Sequence, residues 1–127
     1  MPKPSLPRPT DAELSILRVL WRRGPSTVRQ VQDELGDETG YTTVLKFLQI
    51  MTDKGLVTRD DSQHAHVYQA RLAEEETQRQ LVADLLDRAF SGSAKKLVVQ
   101  ALSAKKASAE ELAEIRKLLD EMERRPR

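Results

Sequence analysis

A mainly α-helical fold with one small β-hairpin is predicted by three observations: apolar residues recur at helical spacing in six stretches, two short β-like runs stand together mid-chain, and glycine or proline punctuates the junctions. The first helix starts after Thr10, which forms a capping box with Glu13 three positions on. Leu14, Leu17 and Trp21 follow at helical spacing, Ile16, Val19 and Leu20 widen the apolar face, and Arg22, Arg23, Gly24 and Pro25 supply the stop. A short second helix opens at Ser26 or Thr27, carries Val28, Val31 and Leu35 on one face, and ends at Gly36.

After the loop Gly36 to Gly40, a third helix runs from Tyr41 to Lys54 and closes at Gly55. Val44, Leu45, Leu48 and Met51 cluster within about 120° of one another at 100° per residue, and Thr42, Lys46, Gln49 and Asp53 cluster opposite. One side is therefore core and the other free. Leu56 to Arg59 and His66 to Ala70 read as strands joined by the polar segment Asp60 to Ala65. Three short helices followed by a hairpin is the order of a winged helix-turn-helix.

From Glu74 the pattern is helical in three pieces, separated by Gly92 and by Ser103 to Ser108. Leu81, Val82, Leu85, Leu86, Ala89 and Phe90 mark the first, and Leu97, Val98, Ala101 and Leu102 the second. The third opens with a Ser108–Glu111 capping box and carries Leu112, Ile115, Leu119 and Met122, flanked by Asp120–Arg124 and Glu121–Arg125 at i,i+4 spacing. About 55 residues of amphipathic helix are too few to bury this much apolar surface alone, so a second copy of the chain is the expected partner. Leu85, Phe90, Leu97, Leu112, Ile115 and Leu119 are the candidate dimerisation residues. The organisation expected is a flexible proline-rich arm at 1–9, a winged-helix DNA-binding domain at 10–72 and a helical dimerisation region at 73–127.

The 127 residues fit one domain with an appendage and exclude a multi-module enzyme. Absence of cysteine removes disulfides, thiolate metal sites and a catalytic thiol together. The longest apolar runs are only a few residues, and the N-terminus has no signal-peptide core, so a cytoplasmic protein without a membrane partner is expected. Net charge is +1, and neither half is strongly basic: residues 1–71 hold 10 basic and 9 acidic side chains, the remainder 11 and 11. Any DNA binding must then rest on where charges sit rather than on bulk charge.

In a helix-turn-helix the second helix of the motif enters the major groove with its first residues toward base edges. Thr42, Thr43 and Lys46 occupy that place here and carry hydroxyls and an amine able to read bases or contact phosphate, against the plainer reading of a helix cap and a solvated charge. Arg18, Arg22, Arg23 and Arg29 on or after the first two helices, and Arg59 beside the wing, suit phosphate clamping as a group. His64 and His66, near Asp60 and Asp61, could nucleate a metal site, but no further ligand is pinned and phosphate contact by the wing is the better reading. No P-loop, Gly-x-Ser-x-Gly elbow or His-Glu-x-x-His occurs, so no catalytic, cofactor or metal residue is assigned.

The segments TDAELSILRVLWRRGPSTVRQV, GYTTVLKFLQIMTDKGLVTR, HVYQA and LLDRAFSGSAKKLVVQAL together resemble the penicillinase and methicillin-resistance repressor family (BlaI/MecI type) from Thr10 to about Met122. The resemblance implies a dimeric winged-helix transcriptional repressor on a palindromic operator, with intertwined C-terminal helices. It also implies base reading by Thr42, Thr43 and Lys46, and backbone contact by Tyr41 and the wing near His64 to His66. The genes expected are those of antibiotic resistance or cell-envelope stress, and a regulatory protease is a candidate partner. Two departures stand out. Copper-responsive repressors similar to this family carry C-terminal cysteine pairs, and this chain has none; family repressors cleaved at an Asn-Phe bond are matched here by Gln100 and Ala101. The rival readings are a winged-helix protein-interaction adaptor without DNA sequence specificity and a small hydrolase built on His64 or His66.

Overall fold

The structure, a computed structural model, describes residues 8–36 and 38–125. Most of the expected arm, residues 1–7, lies outside them, as does Asp37 in the loop before the third helix. The elements in order are α1 (Asp11–Arg23), α2 (Val28–Leu35), α3 (Tyr41–Lys54), β1 (Val57–Asp60), β2 (Val67–Ala70), α4 (Glu74–Ala89), α5 (Ala94–Ala104) and α6 (Ala109–Arg124). Three helices, a hairpin and three further helices match the predicted order.

Side-chain caps fix where the first helices begin. Thr10 Oγ1 accepts from the Glu13 N–H at 3.2 Å, and the Thr10 N–H donates to Glu13 Oε1 at 2.9 Å. The same reciprocal pair, with no counterpart in the sequence reading, opens α2 between Thr27 and Gln30 at 3.2 and 2.9 Å. At α6 only half of the expected box forms: the Glu111 N–H donates to Ser108 Oγ at 3.0 Å, while the Glu111 side chain stays exposed to solvent.

The core gathers Ile16, Leu17, Val19 and Leu20 from α1, Val28 and Val31 from α2, Val44, Leu48 and Met51 from α3, and Leu56, Val57 and Tyr68 from the hairpin. All are at most 5% exposed, and burial of one such aliphatic side chain stabilises by about 1.5–3 kcal/mol. The strands pair antiparallel, with Val57 opposite Ala70 and Arg59 opposite Tyr68. Each starts one residue later than the sequence pattern suggests. Leu56 is still engaged in the cap of α3, its N–H bonding Met51 O at 2.9 Å beyond a left-handed Gly55 (φ +83°), and His66 is held by Asp61 instead of by the ladder. Ser26 adds an isolated bridge to β2, with Ser26 N–H to Tyr68 O at 2.9 Å and Tyr68 N–H to Ser26 O at 2.8 Å. The wing is thus pinned to the residues that open α2.

The chain divides into two compact units that meet between Ala83 and Asp84. In the first, the Trp21 indole N–H donates to Leu72 O at 3.0 Å, tying the segment after the wing to α1. In the second, no residue from Asp84 to Arg125 is buried. Phe90, Leu97 and Ile115 are half-buried, whereas Leu85, Leu112 and Leu119 are exposed. The apolar side expected for α5 is covered only at Leu97; Val98, Ala101 and Leu102 lie open in the single chain. The pairs Asp120–Arg124 and Glu121–Arg125 do not close, as solvated i,i+4 pairs gain only a few tenths of a kcal/mol; Arg88 and Asp84 do approach, to 3.6 Å. No helix among the described residues is long and apolar enough to cross a membrane.

Candidate nucleic-acid interface

Helix α3 is built to present one side. Val44, Leu48 and Met51 are buried against the core and Leu45 and Phe47 pack partly on it, leaving Thr42, Thr43, Lys46, Gln49, Ile50 and Asp53 exposed or only partly covered. At 100° per residue Lys46 stands near the centre of this outer face, with Thr42 and Ile50 each about 40° to either side. Thr43 sits at its edge and also lines an open cleft of about 460 Å³ with Ala12, Ser15, Leu35 and Phe47. Neither threonine caps the helix, because the N-cap is Gly40 and no side chain bonds there. Among the described residues neither hydroxyl has a hydrogen-bond partner, so the cap half of the plainer reading does not hold, while Lys46 is exposed to solvent as that reading also expects.

Two elements hold this helix. At its start, the Arg29 guanidinium on α2 lies 5.8 Å from the centroid of the Tyr41 ring, a cation–π arrangement that keeps both groups at the surface. At its end, Lys54 Nζ donates to Glu13 Oε1 at 2.6 Å and to Arg8 O at 3.2 Å. Glu13 is only 3% exposed. Burial raises its carboxyl pKa, but hydrogen bonds from Lys54 and Thr10, with the Lys54 charge, outweigh burial, so the net shift is below the ordinary 4.5.

The arginines expected to act together divide into two sets. Arg22 and Arg23 both reach the one carboxylate of Glu34, at 2.8 and 3.7 Å, which offsets at most one of their two charges; Arg18 is exposed without an ion pair among the described residues. In the wing, Arg59 binds Asp61 through two nitrogens, Nε to Oδ1 at 2.8 Å and Nη2 to Oδ2 at 3.2 Å. His66 Nδ1 meets the same Oδ1 at 2.8 Å, whereas His64 is exposed and makes no such contact. Asp60 is occupied elsewhere, accepting the Ser62 N–H at 2.9 Å, and hydrogen bonding from Ser62 lowers its pKa. The two histidines lie in the connection and not on one strand, and among the described residues no three His, Asp or Glu side chains converge as metal ligands.

Sequence reasoning leaves Ile50 off the outer face because an aliphatic residue reads as core, yet it is 40% exposed. Its spacing of four from Lys46 is the signal that could have found it. Gln49 falls on the free side without an assigned role, although its amide can bond adenine in two places. The role of Asp61 as common partner of Arg59 and His66 has no signal beyond proximity in the chain.

A core-backed helix with a free outer face, a supporting α2 and an adjacent hairpin define a winged helix-turn-helix regulator. A profile described as penicillinase repressor matches residues 9–121. The transcriptional regulator BlaI of Mycobacterium tuberculosis is 34% identical over 122 residues, covering 93% of this chain and 87% of that protein. A penicillinase repressor of Bacillus licheniformis is 24% identical over 122 residues, covering 94% of this chain and 95% of its own length. Among solved structures, a transcriptional regulator from Thermotoga maritima shares the fold, with a TM-score of 0.52 and 20% identity, over 91% of this chain and 77% of that one. The chain belongs to the penicillinase repressor family and is a DNA-binding transcriptional repressor, not an enzyme. The adaptor and hydrolase readings are set aside accordingly.

Proposed function

We propose that the protein acts in the cytoplasm as a homodimer that occupies a palindromic operator of antibiotic-resistance or cell-envelope stress genes. The names of its relatives support that gene class. In this reading residues 10–72 bind DNA and 73–127 dimerise. Thr42, Thr43 and Lys46 read bases, Tyr41 touches the backbone, and the wing with Arg59, His64 and His66 meets phosphates. The observation that carries the DNA reading is the outer face of α3, whose polar side chains are free while its inner face is buried. The dimer is supported by the second unit, in which Leu85, Val98, Val99, Leu112, Leu118, Leu119 and Met122 are all more than a third exposed and none of the described residues is buried.

Two linked half-sites bind more tightly than either alone because the second binding event becomes intramolecular. Repression then needs no catalytic group; the protein occludes the promoter. A mobility-shift titration of genomic fragments at two salt concentrations tests this, with Thr43→Ala and Lys46→Ala beside the wild type. Removing a base-reading side chain in either variant costs about 1–3 kcal/mol for the selected site. If Lys46 binds phosphate instead, its replacement weakens all sequences alike and flattens the salt dependence. Unchanged affinity and unchanged specificity in both variants would show that Thr43 and Lys46 do not read the operator.

A further inference from the structure

The wing is a poor phosphate clamp by charge alone. Between Val57 and Ala70 it carries one arginine against two aspartates, so with neutral histidines its net charge is −1. Asp60 accepts the Ser62 N–H at the wing surface, but Asp61 takes the side of the Arg59 guanidinium that a phosphate would take, with two parallel bonds at 2.8 and 3.2 Å. Carboxylate and phosphate fit this fork in the same way. The same oxygen holds His66 Nδ1 at 2.8 Å. All three side chains are 40–54% exposed, so a polyanion can reach the cluster and displace the carboxylate.

Resting on the DNA reading above, we propose that Asp61 is an affinity-setting residue that acts through Arg59 and His66: it is an internal competitor for phosphate, and the wing engages DNA only by exchanging Asp61 for a phosphodiester. The competitor tempers binding that depends on charge alone and leaves discrimination to α3. An exposed pair of this kind is weak, so exchange is reversible and the effect is graded.

The test compares wild type, Asp61→Asn, Arg59→Ala and the double variant by fluorescence anisotropy. The probes are a duplex that the wild type selects from a random-sequence library and an unselected duplex of equal length, from about 50 to 200 mM salt. Asp61→Asn is expected to tighten binding to both duplexes roughly two- to fivefold at low salt. It should also steepen the log–log salt slope by up to about 0.9 per wing, because a wild-type wing still partly held by Asp61 neutralises on average less than one phosphate. In the Arg59→Ala background the same change leaves the slope where it was. Weaker binding by Asp61→Asn, or an unaltered slope, with the helical circular dichroism of the wild type retained, overturns the proposal. Failure of the wild type to bind either duplex at low salt overturns the DNA reading itself, and is told apart from the former because no variant comparison is then needed.

Discussion

The Glu13–Lys54 ion pair holds the end of α3 to the start of α1, and removing either side chain should loosen it. Breaking one partner of a fully buried pair costs about 3–5 kcal/mol. Lys54 keeps 33% of its side chain in water, which brings the expected cost to roughly 1–3 kcal/mol, that of leaving a buried polar group without its partner. The pH dependence has a definite sign. The folded-state pKa of Glu13 lies below its ordinary 4.5, so its contribution is present above the unfolded pKa and is lost as pH falls through the folded one. Lys54→Met deletes two of the influences that lower this pKa and leaves burial, which raises it, opposed only by the hydrogen bonds with Thr10, so the pKa climbs and the acid limb of the stability curve flattens. Glu13→Gln should lose its disadvantage against wild type at low pH. Urea unfolding by circular dichroism at fixed protein concentration, between pH 7 and about pH 3, reads both effects. A cost below about 0.5 kcal/mol at neutral pH, or an acid limb identical in wild type and Lys54→Met, would show that the pair does not hold the helix end.

Ile115→Asp should raise the dimer dissociation constant roughly a hundredfold, since two copies of an aliphatic side chain lose burial at once; sedimentation velocity at micromolar concentration reads this, and an unchanged dimer or a wild-type monomer contradicts the assembly. Trp21→Phe removes the indole bond to Leu72 O and should cost about 1 kcal/mol of stability in the first unit, measured by the same urea titration. Gln100 and Ala101 stand where the family resemblance leads one to expect Asn-Phe, so a beta-lactam-sensing protease specific for that bond should leave the chain intact. Co-expression with such a sensor, beta-lactam treatment and intact-mass measurement decide it, and a fragment ending at Gln100 shows the expectation wrong.

The helices of the first unit are legible in the sequence because local chemistry and packing agree there. Thr10, Gly36 and Gly55 mark boundaries by capping, and the buried side of α3 follows the apolar spacing of Val44, Leu48 and Met51. What escapes the sequence depends on distant residues meeting. The Lys54–Glu13 bond spans 41 positions and the Trp21–Leu72 bond 51, and no local pattern announces either. Ile50 escapes for the opposite reason: its spacing is that of the outer face, but its composition argues for the core.

The two units differ in what their sequences can achieve alone. In the first, twelve apolar residues among those described are buried within a single chain, and this part carries its own core behind α3. In the second, apolar spacing as regular as that of α1 leaves no residue buried from Asp84 onward among the described residues. Periodicity reports only that a face is meant to be covered, not what covers it. The face is covered, in the proposed assembly, by the same face of a second chain. That arrangement makes the less self-sufficient unit the one on which joint occupation of two half-sites depends. A change confined to α5 or α6 can then weaken repression while leaving every DNA-facing side chain in place, whereas the same loss produced from α3 must alter what a single half-site sees. Measuring half-site and full-site affinity side by side in Ile115→Asp separates the two: full-site binding falls toward the half-site value, and half-site binding does not move.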